Sequence, residues 1–120
     1  MAMELSGKKV FITGANRGIG RVLVEAALQQ NAACVYAGMR DIKKAAGLPE
    51  IGSRVHPIAI DLTQPSSVID AAAEVPEVDV VINNAGVLSN SDPLSSTAIE
   101  SLQYEMEVNC YGLIRMARAF

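Results

Sequence analysis

The chain has 120 residues, a formal net charge of −3 and a hydrophobic fraction of one half. This length predicts one compact domain over residues 1–120. Its core must consist of Val, Ile, Leu and Ala, because the chain has only 2 Phe, 3 Tyr and no Trp. The dispersed acidic charge excludes a basic nucleic-acid footprint, and no apolar run is long enough for a membrane span. Residues 1–9 do not resemble a signal peptide, so we expect a cytoplasmic protein.

Four short apolar runs predict β-strands at residues 8–13, 33–39, 54–60 and 78–82. Pro57 lies inside the third run and lacks a backbone N–H, so that strand should lie at a sheet edge. The segments between the strands have helical periodicity, with short connections. The order β-α-β-α-β-α-β-α predicts an α/β fold: a doubly wound parallel sheet of four strands in the order 3-2-1-4, with helices on both faces.

The predicted helices differ in how clearly their ends are marked. The first begins at Gly18 and ends near Asn31, a residue suited to a left-handed turn. A short helical stretch covers residues 42–46, and a third helix carries Pro65 in its first turn and ends at Pro76. The last begins at Thr97, with the capping-box spacing to Glu100, and runs to residue 120. The expected apolar faces are Ile19, Val22, Leu23, Ala26 and Ala27 on the first helix, and Leu102, Met106, Asn109, Cys110, Leu113, Ile114 and Ala117 on the last.

Residues 13–20 read T-G-A-N-R-G-I-G between a predicted strand and a predicted helix. One glycine allows the tight turn, one lets the backbone approach a phosphate, and one lets the helix pack close to the strand. The helix N-terminus offers N–H groups and a positive dipole end to a pyrophosphate. The motif therefore predicts dinucleotide binding. Its candidate cofactor residues are Gly14, Asn16, Arg17, Gly18, Ile19 and Gly20.

Three later motifs follow in order: Asp61-Leu62 after the third strand, Asn83-Asn84-Ala85-Gly86 after the fourth, and Val108-Asn109 with Gly112 in the last helix. Together with the glycine turn, they resemble the short-chain dehydrogenase/reductase family over nearly the whole chain. The resemblance implies a Rossmann-like fold and an oxidoreductase that transfers hydride between a nicotinamide cofactor and a small-molecule carbonyl or alcohol. It also implies cofactor contacts at Asp61, Leu62, Asn83, Ala85 and Gly86. Asp61 could instead only stabilise a helix dipole, and Asn83 could chiefly tie strands together.

The choice of cofactor depends on the end of the second strand. Arg40 lies there, and Arg17 in the glycine turn can face the same ribose. Two guanidinium groups suit the 2′-phosphate of NADP(H), and basic residues at these two places accompany NADP(H) in the resembling family. NAD(H) remains an alternative cofactor, because the Asp41 carboxylate could bind a ribose 2′-OH. We predict NADP (NADPH) over NAD.

Asn109 is the one candidate catalytic residue. The family's matching Asn bends this helix and holds a water in the proton relay, although a satisfied interior Asn is the alternative. The family's other catalytic groups are a Ser, a Tyr and a Lys four residues after the Tyr, and the sequence ends before their positions. Tyr36 with Arg40, and Tyr111 with Arg115, are poor substitutes. We therefore expect a truncated, inactive cofactor-binding half, or alternatively a stand-alone dinucleotide-binding module.

The remaining expectations concern partners and thiols. The open edge of strand four and the last helix should mediate homo-oligomer formation. A third alternative for the function of the chain is a structural remnant that binds no cofactor. Cys34 and Cys110 lack metal-ligand spacing and should be buried thiols, and no metal site is expected. His56, the single histidine, should be structural or solvated.

Overall fold

The computed structural model describes residues 3–45 and 47–120. Met1, Ala2 and Ala46 lie outside the described residues, so the end of the helical stretch predicted at 42–46 is not described. Its first part is a 3-10 turn at Ile42–Lys44. A separate short helix, which was not predicted, follows Gly47. Gly47 has a left-handed φ of 77°, and this conformation keeps the two helical pieces apart.

The described residues form four strands and five α-helices. The strands are β1 (Lys9–Thr13), β2 (Cys34–Met39), β3 (Val55–Ala59) and β4 (Val80–Ile82). The helices are α1 (Gly18–Gln29), α2 (Leu48–Ile51), α3 (Pro65–Glu74), α4 (Ala98–Met106) and α5 (Gly112–Ala119). A π-helical turn (Glu107–Tyr111) joins α4 to α5. No helix within residues 3–45 and 47–120 combines the length and apolarity that a membrane crossing requires.

The sheet is parallel throughout and has the order β3-β2-β1-β4, which confirms the predicted topology. In the central register Phe11 pairs with Tyr36 on one side and with Val81 on the other. Pro57 lies in the edge strand β3, as predicted. Because the chain leaves β1 in one direction and returns beside it as β4, the carboxyl ends of these two strands flank a switch-point crevice.

Alternating residues of each strand supply two separate cores, one on each face of the sheet. On the first face, Val10 and Ile12 pack with Val24 of α1 and Leu48 of α2. On the second face, Phe11 packs with residues of β3, α3 and the last helix; its ring centroid lies 4.9 Å from that of Phe120. Both faces of the sheet are therefore covered by helices, as a doubly wound fold requires.

Helix α1 buries only part of the face that was predicted: Ala27 is buried and Leu23 packs against the core, as expected. Its buried residues are Gly20, Val24, Ala27 and Leu28. Ile19 is 73% exposed and Val22 62% exposed, so their assignment to the core face was wrong. The reason is the close approach of Gly20 to the preceding turn, which sets the rotation of the helix about its axis. The predicted end is confirmed: Asn31 has a φ of 60°.

The last helix also turns a different face to the core. Val108, Gly112 and Met116 are buried, whereas Leu102, Leu113 and Ile114 are exposed. The π-helical turn adds a residue to one helical turn and shifts the phase of the pattern. Cys110, within this turn, is exposed, and Cys34 at the start of β2 is half-buried, so the expectation of two buried thiols was wrong. Thr97 precedes the helix as predicted, but its side chain makes no capping hydrogen bond.

Candidate functional site

A crevice of about 810 Å³ opens at the carboxyl ends of the strands, within the range of small-molecule and cofactor sites. The glycine turn forms one wall, and Tyr104 and Val108 of the last helix contribute to another. Most of the predicted cofactor residues line this crevice: Gly14, Asn16, Arg17, Gly18 and Ile19 from the turn, Arg40 after β2, Asp61 and Leu62 after β3, and Ala85 and Gly86 after β4.

The three glycines of the turn have the separate structural roles that the sequence predicts. Gly14 has a φ of +64°, and a Cβ placed on it would lie 3.0 Å from the Cα of Ala85. Gly18 has a φ of +56°, and no atom of residues 3–45 and 47–120 lies within 4 Å of an ideal Cβ, so its backbone stays open to a ligand. A Cβ on Gly20 would lie 2.0 Å from the carbonyl oxygen of Gly14. Gly20 thus packs beneath the turn rather than lining the crevice.

The N-terminus of α1 is left open toward the crevice. Arg17 occupies the capping position with an extended backbone, and its side chain makes no capping hydrogen bond. The first turn contains no acidic residue. Because the first N–H groups of a helix have no partner within the helix, this terminus presents donors and a positive dipole end to an anion.

A buried threonine and an asparagine fasten β1 to the loop after β4. The hydroxyl of Thr13, which is 1% exposed, accepts hydrogen bonds from the backbone N–H groups of Asn84 (3.1 Å) and Ala85 (3.0 Å). The Asn84 amide donates to the carbonyl oxygens of Thr13 and Gly14, both at 3.2 Å. The strand tie therefore belongs to Asn84. The assignment of that role to Asn83 was wrong: Asn83 is exposed, and the crevice lining drawn from residues 3–45 and 47–120 does not include it.

Three cationic side chains line the crevice: Arg17 from the glycine turn, and Arg40 and Lys44 from the segment that follows β2. Asp41 lines it as well, but one of its carboxylate oxygens accepts a hydrogen bond from the backbone N–H of Lys43 (3.0 Å) and starts the 3-10 turn. That turn carries Lys44 to the crevice. The balance of charge at this end therefore favours an anionic ligand.

The Asp61-Leu62 segment is held in place by its neighbours. One oxygen of the Asp61 carboxylate accepts from the backbone N–H (2.9 Å) and the hydroxyl (2.7 Å) of Thr63. Helix α3 begins only at Pro65, so Asp61 forms a turn ahead of the helix instead of belonging to it. Arg115 donates to the Leu62 carbonyl oxygen (2.8 Å) and forms an ion pair with Glu107 (2.7 Å). The last helix thus fixes the position of this segment.

Asn109 lies in the π-helical turn and contacts the loop after β4. Its side-chain oxygen accepts from the Val87 N–H, and its amide donates to the Val87 carbonyl, both at 2.8 Å. The amide is thus paired twice with one backbone residue, which agrees with the alternative of a satisfied interior Asn. Asn109 does not line the crevice within the part of the chain that the structure describes. Through Val87, which does line it, Asn109 positions the crevice wall.

The shifted pKa values belong to the opposite, amino end of the sheet. Glu77 raises the pKa of Lys9 through a 2.6 Å ion pair, and Lys9 in turn lowers the pKa of Glu77. The Cys34 thiol, followed by partial burial, raises the pKa of Tyr36. His56 stacks beside Tyr36 with ring centroids 5.8 Å apart and is exposed on the edge strand. These groups therefore lie outside the crevice. Among the described residues, no group of three or more His, Cys, Asp or Glu could hold a metal ion.

Comparison with known proteins identifies the family. The sequence model of the short chain dehydrogenase family matches residues 8–120. The chain belongs to the short chain dehydrogenase family. Among curated relatives of this family, the short chain dehydrogenase pigC of Monascus ruber is 35% identical; the match covers 98% of this chain and 43% of the relative. The chain spans less than half the length of the curated relatives it matches.

Solved structures of short chain dehydrogenases agree with the fold. A short chain dehydrogenase from Burkholderia cenocepacia in complex with NADP superposes with a TM-score of 0.88 and 38% identity, covering 98% of this chain and 48% of that one. A 3-ketoacyl-(acyl-carrier-protein) reductase from Brucella melitensis complexed with NADH superposes with a TM-score of 0.82 and 28% identity, over 95% and 48% of the two chains. The family's scaffold therefore occurs with either dinucleotide.

Sequence reasoning missed several residues of the site, among them Thr13, Lys44 and Tyr104. The role of Thr13 could have been predicted, since a polar residue that ends a buried strand needs hydrogen-bond partners. Lys44 gave no signal, because it reaches the crevice only through the 3-10 turn that Asp41 starts. Tyr104 gave none either, because the helix phase that brings it to the crevice depends on packing.

Proposed function

We propose that this chain is the NADP(H)-binding portion of a short chain dehydrogenase. The observation that carries the proposal is the convergence of an uncapped helix N-terminus, an open glycine and three cationic side chains on one crevice. A dinucleotide has the complementary shape and charge: a pyrophosphate in its middle and, in NADP(H), a second phosphate on the adenosine ribose.

Each part of the crevice has a partner in such a ligand. The backbone of residues 14–20 would hold the pyrophosphate, and Asp61 and Leu62 would bound the adenine. Ala85 and Gly86 leave space for the chain of the dinucleotide to cross between β1 and β4. In a whole enzyme the bound nicotinamide would supply hydride to, or accept it from, a small carbonyl or alcohol. Asn109 would then act as a positioning residue through Val87.

Preference for NADP(H) over NAD(H) rests on Arg17, Arg40 and Lys44. An acidic residue at the end of β2 would repel a 2′-phosphate, whereas Asp41 here has an oxygen engaged with the Lys43 N–H. A guanidinium binds a phosphate through paired hydrogen bonds. The NADP complex of the Burkholderia cenocepacia relative supports this preference, while the NADH complex of the Brucella melitensis reductase requires that it be measured.

The test is a fluorescence titration of the chain with NADPH and NADH, for the wild type and for Arg40→Asp. We expect tighter binding of NADPH by the wild type and a shift toward NADH in the variant, because a carboxylate replaces a phosphate-binding cation. Lys8→Asp, a charge reversal just before β1 at the other end of the sheet, is the matched control and should leave the preference unchanged. Equal affinities for both cofactors in the wild type would reject the preference.

We further propose that these 120 residues bind the cofactor without turning it over. The two Tyr–Arg pairs with the spacing of a catalytic Tyr–Lys pair are engaged elsewhere: Arg40 contacts Tyr104, and Arg115 contacts Leu62 and Glu107. NADPH-dependent carbonyl reduction by the purified chain would contradict this proposal.

A homo-oligomer is also proposed, through the edge of β4 and the exposed face of the last helix. Strand β4 pairs only with β1 among the described residues. The exposed apolar residues of the helix include Ile99, Leu102, Tyr111, Leu113 and Ile114. An apolar helix face beside an open strand edge favours association.

A further inference from the structure

Tyr104 makes a side-chain contact across the crevice that the proposed cofactor site does not explain. Its hydroxyl oxygen accepts a hydrogen bond from Nη1 of Arg40 at 3.1 Å. Arg40 follows the buried end of β2, and Tyr104 belongs to α4. Both side chains line the crevice. The bond therefore joins the sheet to the last helix at the adenosine end of the site.

We propose that Tyr104 is a specificity-determining residue, which holds Arg40 in position for the adenosine 2′-phosphate. This inference rests on the proposed function. Arg40 is an exposed side chain, and a free Arg side chain loses conformational entropy when it is fixed on a ligand. A hydrogen bond that already restrains the guanidinium lowers this loss and improves binding by preorganisation.

The helix that carries Tyr104 is itself anchored. Val108, one turn further along the helix, is 8% exposed and lines the same crevice. The following residue, Asn109, is bound twice to the Val87 backbone. Gly112 approaches Leu62 so closely that a Cβ would lie 3.0 Å from the Leu62 Cβ. The Tyr104 hydroxyl is thus presented from a fixed helix and not from a loop.

The chemistry of the pair suits a phosphate. The phenol oxygen accepts from Nη1 of Arg40 and keeps its own proton for donation. The guanidinium has four further N–H donors in a planar fork. The pair as a unit therefore still offers a positive charge and donors from two elements. NAD(H) carries a hydroxyl at the same ribose position and gains little from them.

The experiment compares Tyr104→Phe with the wild-type chain by titration with NADPH, NADH and adenosine 2′,5′-bisphosphate. The variant loses the acceptor and keeps the ring. We expect the NADPH dissociation constant to rise about three- to tenfold, the effect of one hydrogen bond to a charged group at an exposed site, and the NADH constant to change by less than about twofold. The bisphosphate should follow NADPH. Tyr111→Phe, on the same helix and outside the crevice lining drawn from the described residues, should change neither constant.

Two further variants separate positioning from a structural role. Tyr104→Gln supplies another acceptor and should recover part of the NADPH affinity. In an Arg40→Ala background, Tyr104→Phe should no longer change NADPH affinity, because the two residues act as one unit. If the wild type prefers NADPH and Tyr104→Phe leaves the size of that preference unchanged, the inference is overturned and the proposed function stands. If the wild type binds both cofactors equally, the proposed preference for NADP(H) fails; if it binds neither, the proposed cofactor site fails. The inference fails in both of these cases.

Discussion

Gly20 determines how closely the first helix approaches the strand before it. A Cβ at this position would lie 2.0 Å from the Gly14 carbonyl oxygen and 2.7 Å from the Asn84 amide nitrogen. These atoms belong to the turn and to the strand tie that shape the crevice. Because the Asn84 amide nitrogen donates to the Gly14 carbonyl oxygen, neither atom can move away from an added Cβ without displacing the other.

We therefore predict that Gly20→Ala destabilises the fold by about 1–3 kcal/mol, the typical range for overpacking. Urea denaturation followed by circular dichroism measures the effect. Gly52→Ala is the matched control, since its backbone is extended and, among the described residues, a Cβ would meet only the Leu28 side chain at 3.7 Å. A Gly20→Ala variant as stable as Gly52→Ala would show that the turn does not pack as described.

Single residues were predictable from sequence where one backbone constraint decides the residue type. The glycines of the turn, Pro57 on the edge strand and Asn31 after α1 are of this kind. The choice between Asn83 and Asn84 was not, because both follow the same strand and only the register against Thr13 decides which amide faces inward.

At the scale of elements, the last helix shows the limit of periodicity. Its apolar residues predict a buried face, yet most of them are exposed. Helix α4 buries none of its residues, and a π-helical turn changes the phase between α4 and α5. A pattern of residue types carries no signal for that insertion. Only the structure shows that the insertion lies at Asn109, whose side chain makes two hydrogen bonds to the Val87 backbone.

Replacing Asn109 with Ala should cost about 1–3 kcal/mol of stability, since two half-buried backbone groups of Val87 lose their partner. Chemical denaturation gives the value, and the exposed Gln103→Ala on α4 serves as the matched control. A cost for Asn109→Ala no larger than that for Gln103→Ala would mean that the π-helical turn does not depend on this contact.

At the scale of the molecule, the strand order and the crevice at the switch point were predictable, because alternating strands and helices with short connections leave few topologies. The rotation of each helix on the sheet was not, because it depends on close contacts such as that of Gly20. The chain spans less than half the length of the curated relatives it matches, and its last helix exposes Leu113 and Ile114.

Association should therefore rise with protein concentration through this helix face. The double variant Leu113→Glu with Ile114→Lys should reduce it, whereas Ile69→Lys, at a 63% exposed position on α3, should not. Sedimentation analysis over a concentration series measures the effect. A wild-type chain that stays monomeric throughout, or an equal response to both changes, would contradict the proposal.

The central claim is that backbone amides at the start of α1 receive a phosphate, and amide resonances report on it most directly. In a titration of the 15N-labelled chain with NADP, the largest chemical-shift changes should occur in residues 14–20, with a second group at Arg40 and Lys44. Saturable binding that leaves residues 14–20 unchanged, or no shift change at all, would contradict the account.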